Sequence, residues 1–166
     1  MNPFRYENGV LHADGVSLAE LATEIGTPFY CYSESAISAQ YRAYVEAFAD
    51  QDAVICYAMK ANDNLAILRT FAELCAGADV VSGGELQRAL AAGIPPSKII
   101  FSGVGKTEDE LALALSTRIM QINVESLAEM GALSRAAVAK GVTAEIAIRI
   151  NPNVDAKTHD KISTGR

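Results

Sequence analysis

The sequence predicts an α/β fold built on a parallel sheet, and three observations lead there. Five short apolar runs begin at Val54, Ala78, Lys98, Met120 and Thr143, a near-even repeat. The segments between them carry apolar residues at helical rather than alternating spacing. Three of those segments open with Ser or Thr followed three residues later by Glu, the pattern that satisfies helix N-terminal donors. Strands alternating with helices over short connections give a parallel sheet, either doubly wound or a (β/α)8 barrel. The absence of any long insertion favours the barrel. Eight units are needed to close one, and five are visible, so the chain is expected to hold part of a barrel.

The elements follow in order. Asn8-Gly9 and Asp14-Gly15 are hairpin turn dipeptides flanking Val10–Ala13. A short helix starts near Ser17 and ends at Gly26, and Thr27–Tyr32 is aromatic and strand-like. From Ser33, the apolar positions Ile37, Tyr41, Tyr44, Val45 and Phe48 mark a helix. The regular repeat then begins: strand Val54–Met59, helix Leu65–Ala76, strand Ala78–Val81, and a helix from Gly83 to Gly93. Strand Lys98–Phe101, helix Glu108–Leu115, strand Met120–Val124, a helix closing at Lys140-Gly141, and strand Thr143–Ile150 complete it. Capping boxes are expected at Ser82/Glu85, Thr107/Glu110 and Ser126/Glu129. Residues 151–166 are polar and read as a loop leaving the C-terminal end of the fifth strand.

Composition narrows the function. Of 166 residues half are hydrophobic, and 14 basic against 20 acidic residues leave a net charge of −6. That balance opposes a nucleic-acid backbone binder, and no apolar run is long enough to span a bilayer. The N-terminus has no apolar signal-peptide core. Three cysteines, Cys31, Cys56 and Cys75, lie in apolar stretches and read as reduced core thiols, which fits a cytoplasmic location. Two histidines, His12 and His159, and no CxxC pair argue against a metal site.

Lys60 directly follows the first apolar strand, at the end where parallel α/β folds bind ligands. Partial desolvation against Ala58 and Met59 would favour the neutral amine that forms a Schiff base; the alternative is a strand-capping lysine reaching water. Asp79 lies within the second apolar strand and needs a partner, for which Lys60 is the nearest cation in topology. Gly83-Gly84 at a helix start suits either an anion or a tight turn. Arg149, an isolated charge in the fifth strand, could hold a carboxylate, phenolate or phosphate, or pair with Asp79 or Glu145. Gly103-Val104-Gly105-Lys106-Thr107 invites a nucleotide-loop reading with magnesium at Lys106, but Ile100 stands where the GxxxxGK[ST] pattern requires glycine.

Several motifs together resemble one family. Tyr57-Ala58-Met59-Lys60-Ala61-Asn62 is similar to the pyridoxal-phosphate lysine motif of the fold-type III amino-acid decarboxylases. Gly77-Ala78-Asp79-Val80-Val81-Ser82-Gly83-Gly84-Glu85-Leu86 resembles the form found in the diaminopimelate decarboxylase branch. Phe101–Thr107, Asn123–Ser126, Arg149–Val154 and Thr158–Gly165 follow in the family's order, and Gly26–Tyr30 matches the lead-in.

The resemblance implies an alanine-racemase-like barrel. Residues 1–32 would be a lead-in packing with a C-terminal β domain, and residues 33–166 an incomplete pyridoxal-phosphate-binding barrel. It implies that Lys60 carries pyridoxal 5'-phosphate as a Schiff base, with Asp79 and Arg149 on the cofactor side. The reaction implied is decarboxylation of meso-diaminopimelate to L-lysine, in a cytoplasmic homodimer with its active site at the interface. Related alternatives are an arginine, ornithine or carboxynorspermidine decarboxylase, or a non-catalytic pyridoxal-phosphate carrier. The family's ring-stacking histidine, phosphate loop, and catalytic cysteine and tyrosine have no counterpart within these 166 residues.

Overall fold

The computed structural model describes residues 2–154. The lead-in is a three-stranded antiparallel sheet of β1 (Phe4–Glu7), β2 (Val10–Ala13) and β3 (Val16–Ser17). Both predicted turns close it. Asn8 and Gly9 have φ of 51° and 81°, and Asp14 and Gly15 have 49° and 84°, the left-handed pair that a two-residue hairpin requires. Ser17 then caps α1 (Leu18–Ile25), and Ser33 caps α2 (Glu34–Ala47). The stretch Thr27–Tyr32, expected as a strand, forms none. It contains a cis Thr27–Pro28 bond, and proline lacks the N–H that a ladder needs.

Lead-in and barrel are tied at Asp14. Its carboxylate accepts hydrogen bonds from the Ser33 hydroxyl at 2.8 Å, the Ser35 backbone at 3.3 Å, and the Ser35 hydroxyl. These donors, the Ser35 hydroxyl foremost, hold the Asp14 carboxyl below the usual carboxylate range.

The main sheet has five strands, β4 (Cys56–Ala58), β5 (Gly77–Val80), β6 (Ile99–Phe101), β7 (Gln121–Val124) and β8 (Ile146–Ile148). All neighbours are parallel, and their order in space is their order in sequence. A doubly wound sheet would reverse its winding; this one advances in one direction, as a barrel wall does. Four of the five strands are shorter than their apolar runs. β8 in particular covers three of the eight expected residues, and 143–145 lie outside the ladder.

The connecting helices α3 (Leu65–Glu73), α4 (Gly83–Ala92), α5 (Glu108–Thr117) and α6 (Leu127–Lys140) pack on one face of the sheet. Leu68, Leu86, Leu111 and Leu133 meet Ala78, Val80, Ile99, Phe101, Ile122 and Val124 there, all with no more than 2 % exposure. Burying such side chains is worth about 1.5–3 kcal/mol each, and this stabilises the wall. Gly77 opens β5 because nothing larger fits. An added Cβ would lie 2.5 Å from the Lys98 carbonyl and 2.6 Å from Cys56 Sγ.

Only one of the three expected capping boxes is complete. At α5, Thr107 accepts from the Glu110 N–H, and Glu110 accepts in return from the Thr107 N–H at 2.9 Å. Ser82 and Ser126 cap their helices, but Glu85 and Glu129 reach one residue further, to the N–H groups of Val81 and Glu125. The thiols also depart from expectation. Cys75 is exposed, in a left-handed conformation (φ 63°) just past α3, while Cys31 and Cys56 are half-buried. Burial is the main cause that raises the Cys56 thiol above its usual range.

Candidate functional site

Helices cover one face of the sheet, and the other face carries polar side chains at the C-terminal end of the strands. Lys60 sits beyond β4 in a short 3-10 turn, Met59–Ala61, and not on the strand itself. The turn is held from both sides. Met59 is fully buried, and the Tyr57 hydroxyl donates to the Asn62 carbonyl at 3.1 Å. The Asn62 side chain accepts from the Asn64 N–H at 3.0 Å, and Asn64 caps α3. The backbone carrying Lys60 is therefore fixed while its side chain is exposed.

The desolvated lysine expected from the sequence is thus not found; exposure replaces burial at this position. What sets Lys60 apart is its bonding. Among the described residues, Lys98 donates to the Cys75 carbonyl, Lys140 to Ser116, and Lys106 to three acceptors, whereas the Lys60 ammonium has no partner.

Asp79 is level with Ala58 on the neighbouring strand. Its partner is not Lys60 but the Ser102 hydroxyl, at 2.5 Å. Ser102 in turn accepts from the Asn123 amide at 2.9 Å, and Asn123 accepts from Gln121 at 2.7 Å. A neutral hydroxyl meets the hydrogen-bonding need of this half-buried carboxylate without a cation. Sequence reasoning missed Ser102, Gln121 and Asn123. For Gln121 and Asn123 the signal was present as period-two polarity in Gln121-Ile122-Asn123-Val124, which gives that strand one polar face; Ser102, two residues after the apolar Ile100, carries no such signal.

Arg149 follows β8 on that same polar face, its N–H bonded to the Val124 carbonyl. It pairs with Glu125 at 3.1 Å, and with neither Asp79 nor Glu145. Ser102, Gln121, Asn123, Glu125 and Arg149 border a cavity of about 450 Å³. The structure therefore joins Asp79 to Ser102 and Asn123, and groups Ser102 and Asn123 with Arg149. A second cleft, of about 480 Å³, lies between α2 and β4, but Ile37, Tyr41, Tyr44, Tyr57 and Phe71 make it apolar and it holds no charged group.

Two other motifs find structural uses. The Gly83 N–H, at the α4 N-terminus, donates to Glu110 at 2.7 Å, so the anion that this glycine pair accommodates is the protein's own. The Gly83 and Thr107 N–H groups hold the Glu110 carboxyl below the usual carboxylate range. Lys106 is 1 % exposed. It donates to Glu129 at 2.6 Å and to the Gly103 and Asn123 carbonyls at 2.7 Å each, with the Phe101 ring 5.5 Å away. All three ammonium hydrogens are used, which removes the nucleotide-loop reading. His12 Nδ1 lies 3.0 Å from the Val10 carbonyl within the lead-in sheet; His159 lies outside the described residues.

With this geometry in place, comparison with known proteins decides the family. Residues 34–166 match the model of the pyridoxal-dependent decarboxylases, over the pyridoxal-binding domain. The chain belongs to the pyridoxal-dependent decarboxylase family. A diaminopimelate decarboxylase of Pseudomonas aeruginosa is 50% identical over 165 residues, which is 99% of this chain and 40% of that protein. The crystal structure of the diaminopimelate decarboxylase of M. jannaschii matches 98% of this chain and 39% of its own at 43% identity, with a TM-score of 0.90. That of Helicobacter pylori, complexed with L-lysine, matches 89% and 38% at 51% identity, with a TM-score of 0.86. The chain thus spans about 40% of the length of the curated relatives it matches. Its sheet is the N-terminal part of this decarboxylase barrel.

The donor set fits the family's cofactor. An aldehyde needs an uncommitted amine, and Lys60, without a partner among the described residues, stands at the ligand end of a strand. A carboxylate on the adjacent strand and a polar cavity stand on the same side of the sheet.

Proposed function

We propose that this chain forms part of an enzyme that removes carbon dioxide from meso-diaminopimelate and yields L-lysine, with pyridoxal 5'-phosphate held on Lys60. One observation carries this reading. In a chain about half identical to diaminopimelate decarboxylases throughout, the lysine of the matching motif is the one described lysine whose amine is uncommitted. When bound, the cofactor supplies an electron-withdrawing ring that accepts the electron pair left as carbon dioxide departs.

The chain's own residues do the rest. Lys60 would hold the cofactor through its amine, and the packed Met59 and bonded Asn62 on either side fix the backbone from which that amine extends. Asp79 sets a carboxylate on the strand next to β4, level with Ala58. Arg149 borders the polar cavity and offers a cation for an acidic group of cofactor or substrate, its hold on Glu125 being weak because it is largely exposed. Residues 1–32 would pack with a C-terminal β domain, and residues 33–166 would be the first part of the barrel. We further assign the enzyme to the cytoplasm, as a homodimer with its active site at the subunit interface.

Product analysis tests the substrate. The full-length protein, supplied with pyridoxal phosphate, should release carbon dioxide and L-lysine from meso-diaminopimelate. Agmatine from arginine, putrescine from ornithine, or a polyamine from carboxynorspermidine would place it with the related decarboxylases. Cofactor binding with no carbon dioxide from any of these would make it a carrier.

A further inference from the structure

We propose that Ser102 is a positioning residue for Asp79, the terminal link of a directional hydrogen-bond chain that turns the Asp79 carboxylate toward the end of the sheet where Lys60 emerges. The inference rests on the assignment of Lys60 as the cofactor lysine. The chain runs Gln121 to Asn123 to Ser102 to Asp79, across β7, β6 and β5, at 2.7, 2.9 and 2.5 Å.

Its direction is fixed by hydrogen counting. An ionised carboxylate only accepts, so the single Ser102 hydrogen goes to Asp79. Asn123 must then present its NH2 group to the Ser102 oxygen, which leaves its carbonyl to accept from Gln121. Reversing the Asn123 amide would set two NH2 groups against each other. Every donor therefore points toward Asp79, and each bond polarises the next in favour of the negative charge.

Register gives the chain its positional effect. Asp79 is level with Ile100, and Ser102 lies two residues nearer the ligand end of the sheet. The hydrogen bond is diagonal, and it draws the carboxylate toward that end. Phe101 is level with Ile122, so Ser102 and Asn123 are the next opposed pair. The backbone at Asn123 is itself held, because its main-chain carbonyl accepts from the buried Lys106.

The test uses cofactor-stripped full-length protein. Pyridoxal phosphate is added, and absorbance reports the rate at which Lys60 captures it; kcat, KM and melting temperature are measured on the same samples. Losing a hydrogen bond to a charged group predicts capture and kcat about ten- to hundredfold lower in Ser102→Ala, with KM near the parent's. Ser102→Thr, which keeps the hydroxyl, should return both rates to within about threefold of the parent. Parent-like capture and kcat in Ser102→Ala would overturn the proposal, as would a Thr variant as slow as the Ala variant. If Ser102→Ala melts early, Asn123→Ala decides instead: slowed capture supports the chain and parent-like capture overturns it. A parent protein that captures no cofactor would refute the Lys60 assignment itself, a separate and recognisable result.

Discussion

Lys60 and Lys106 both follow an apolar strand of the same sheet, yet the protein treats them in opposite ways. Lys106 is 1 % exposed, with three acceptors around its ammonium and Glu129 as counter-ion. Lys60 is exposed, on a rigid turn, with no described partner. The difference teaches that a strand-end lysine signals chemistry only when its amine is left uncommitted. A buried and fully bonded amine holds the β6–α5 connection to β7 and has no capacity left for a ligand.

The largest expected effect is to separate the two by substitution. Lys60→Ala should abolish decarboxylation and the bound chromophore while thermal melting stays near the parent's. Lys106→Met should do the reverse in origin. Removing one partner of a buried pair strands Glu129 and costs about 3–5 kcal/mol of stability, read by urea unfolding. A Lys106→Met protein as stable as the parent would break the contrast.

Next in size is Glu110, whose carboxylate joins the starts of α4 and α5. Glu110→Gln should lose about 1–2 kcal/mol near neutral pH. Folding lowers this carboxyl's pKa, so its contribution is full above the ordinary unfolded value of about 4.3. That contribution disappears as pH falls through the lowered folded value. The stability gap between parent and Glu110→Gln should therefore close in acid, as unfolding curves near neutrality and in strong acid would reveal.

The smallest effect belongs to the Arg149–Glu125 pair, in which the arginine is 58% exposed. Glu125→Ala should shift stability by less than about 1 kcal/mol, because water already screens the guanidinium. A larger loss would mean that this pair, like Lys106–Glu129, is structural.

Most of the scaffold was legible in the sequence because it depends on local rules. The Asn8-Gly9 and Asp14-Gly15 turns, the serine caps and the even strand spacing specify hairpin, helices and winding with little help from distant residues. What failed depended on tertiary partners. Glu85 and Glu129 carry the capping-box spacing, but each takes a donor one residue further away. Asp79 was rightly marked as needing a partner, yet the partner is a hydroxyl on the next strand. Arg149 took Glu125, and register decides such choices where composition cannot. Cys75 looked like core by its neighbours, but the chain turns left-handed there and exposes it.

The central claim is that Lys60, and not Lys106 or any other lysine, receives the cofactor. Borohydride reduction of the loaded full-length protein, followed by peptide mapping, tests it most directly. The expected result is a single pyridoxyl group on the peptide containing Tyr57-Ala58-Met59-Lys60. A pyridoxyl group on another lysine, with Lys60 unmodified, would contradict it.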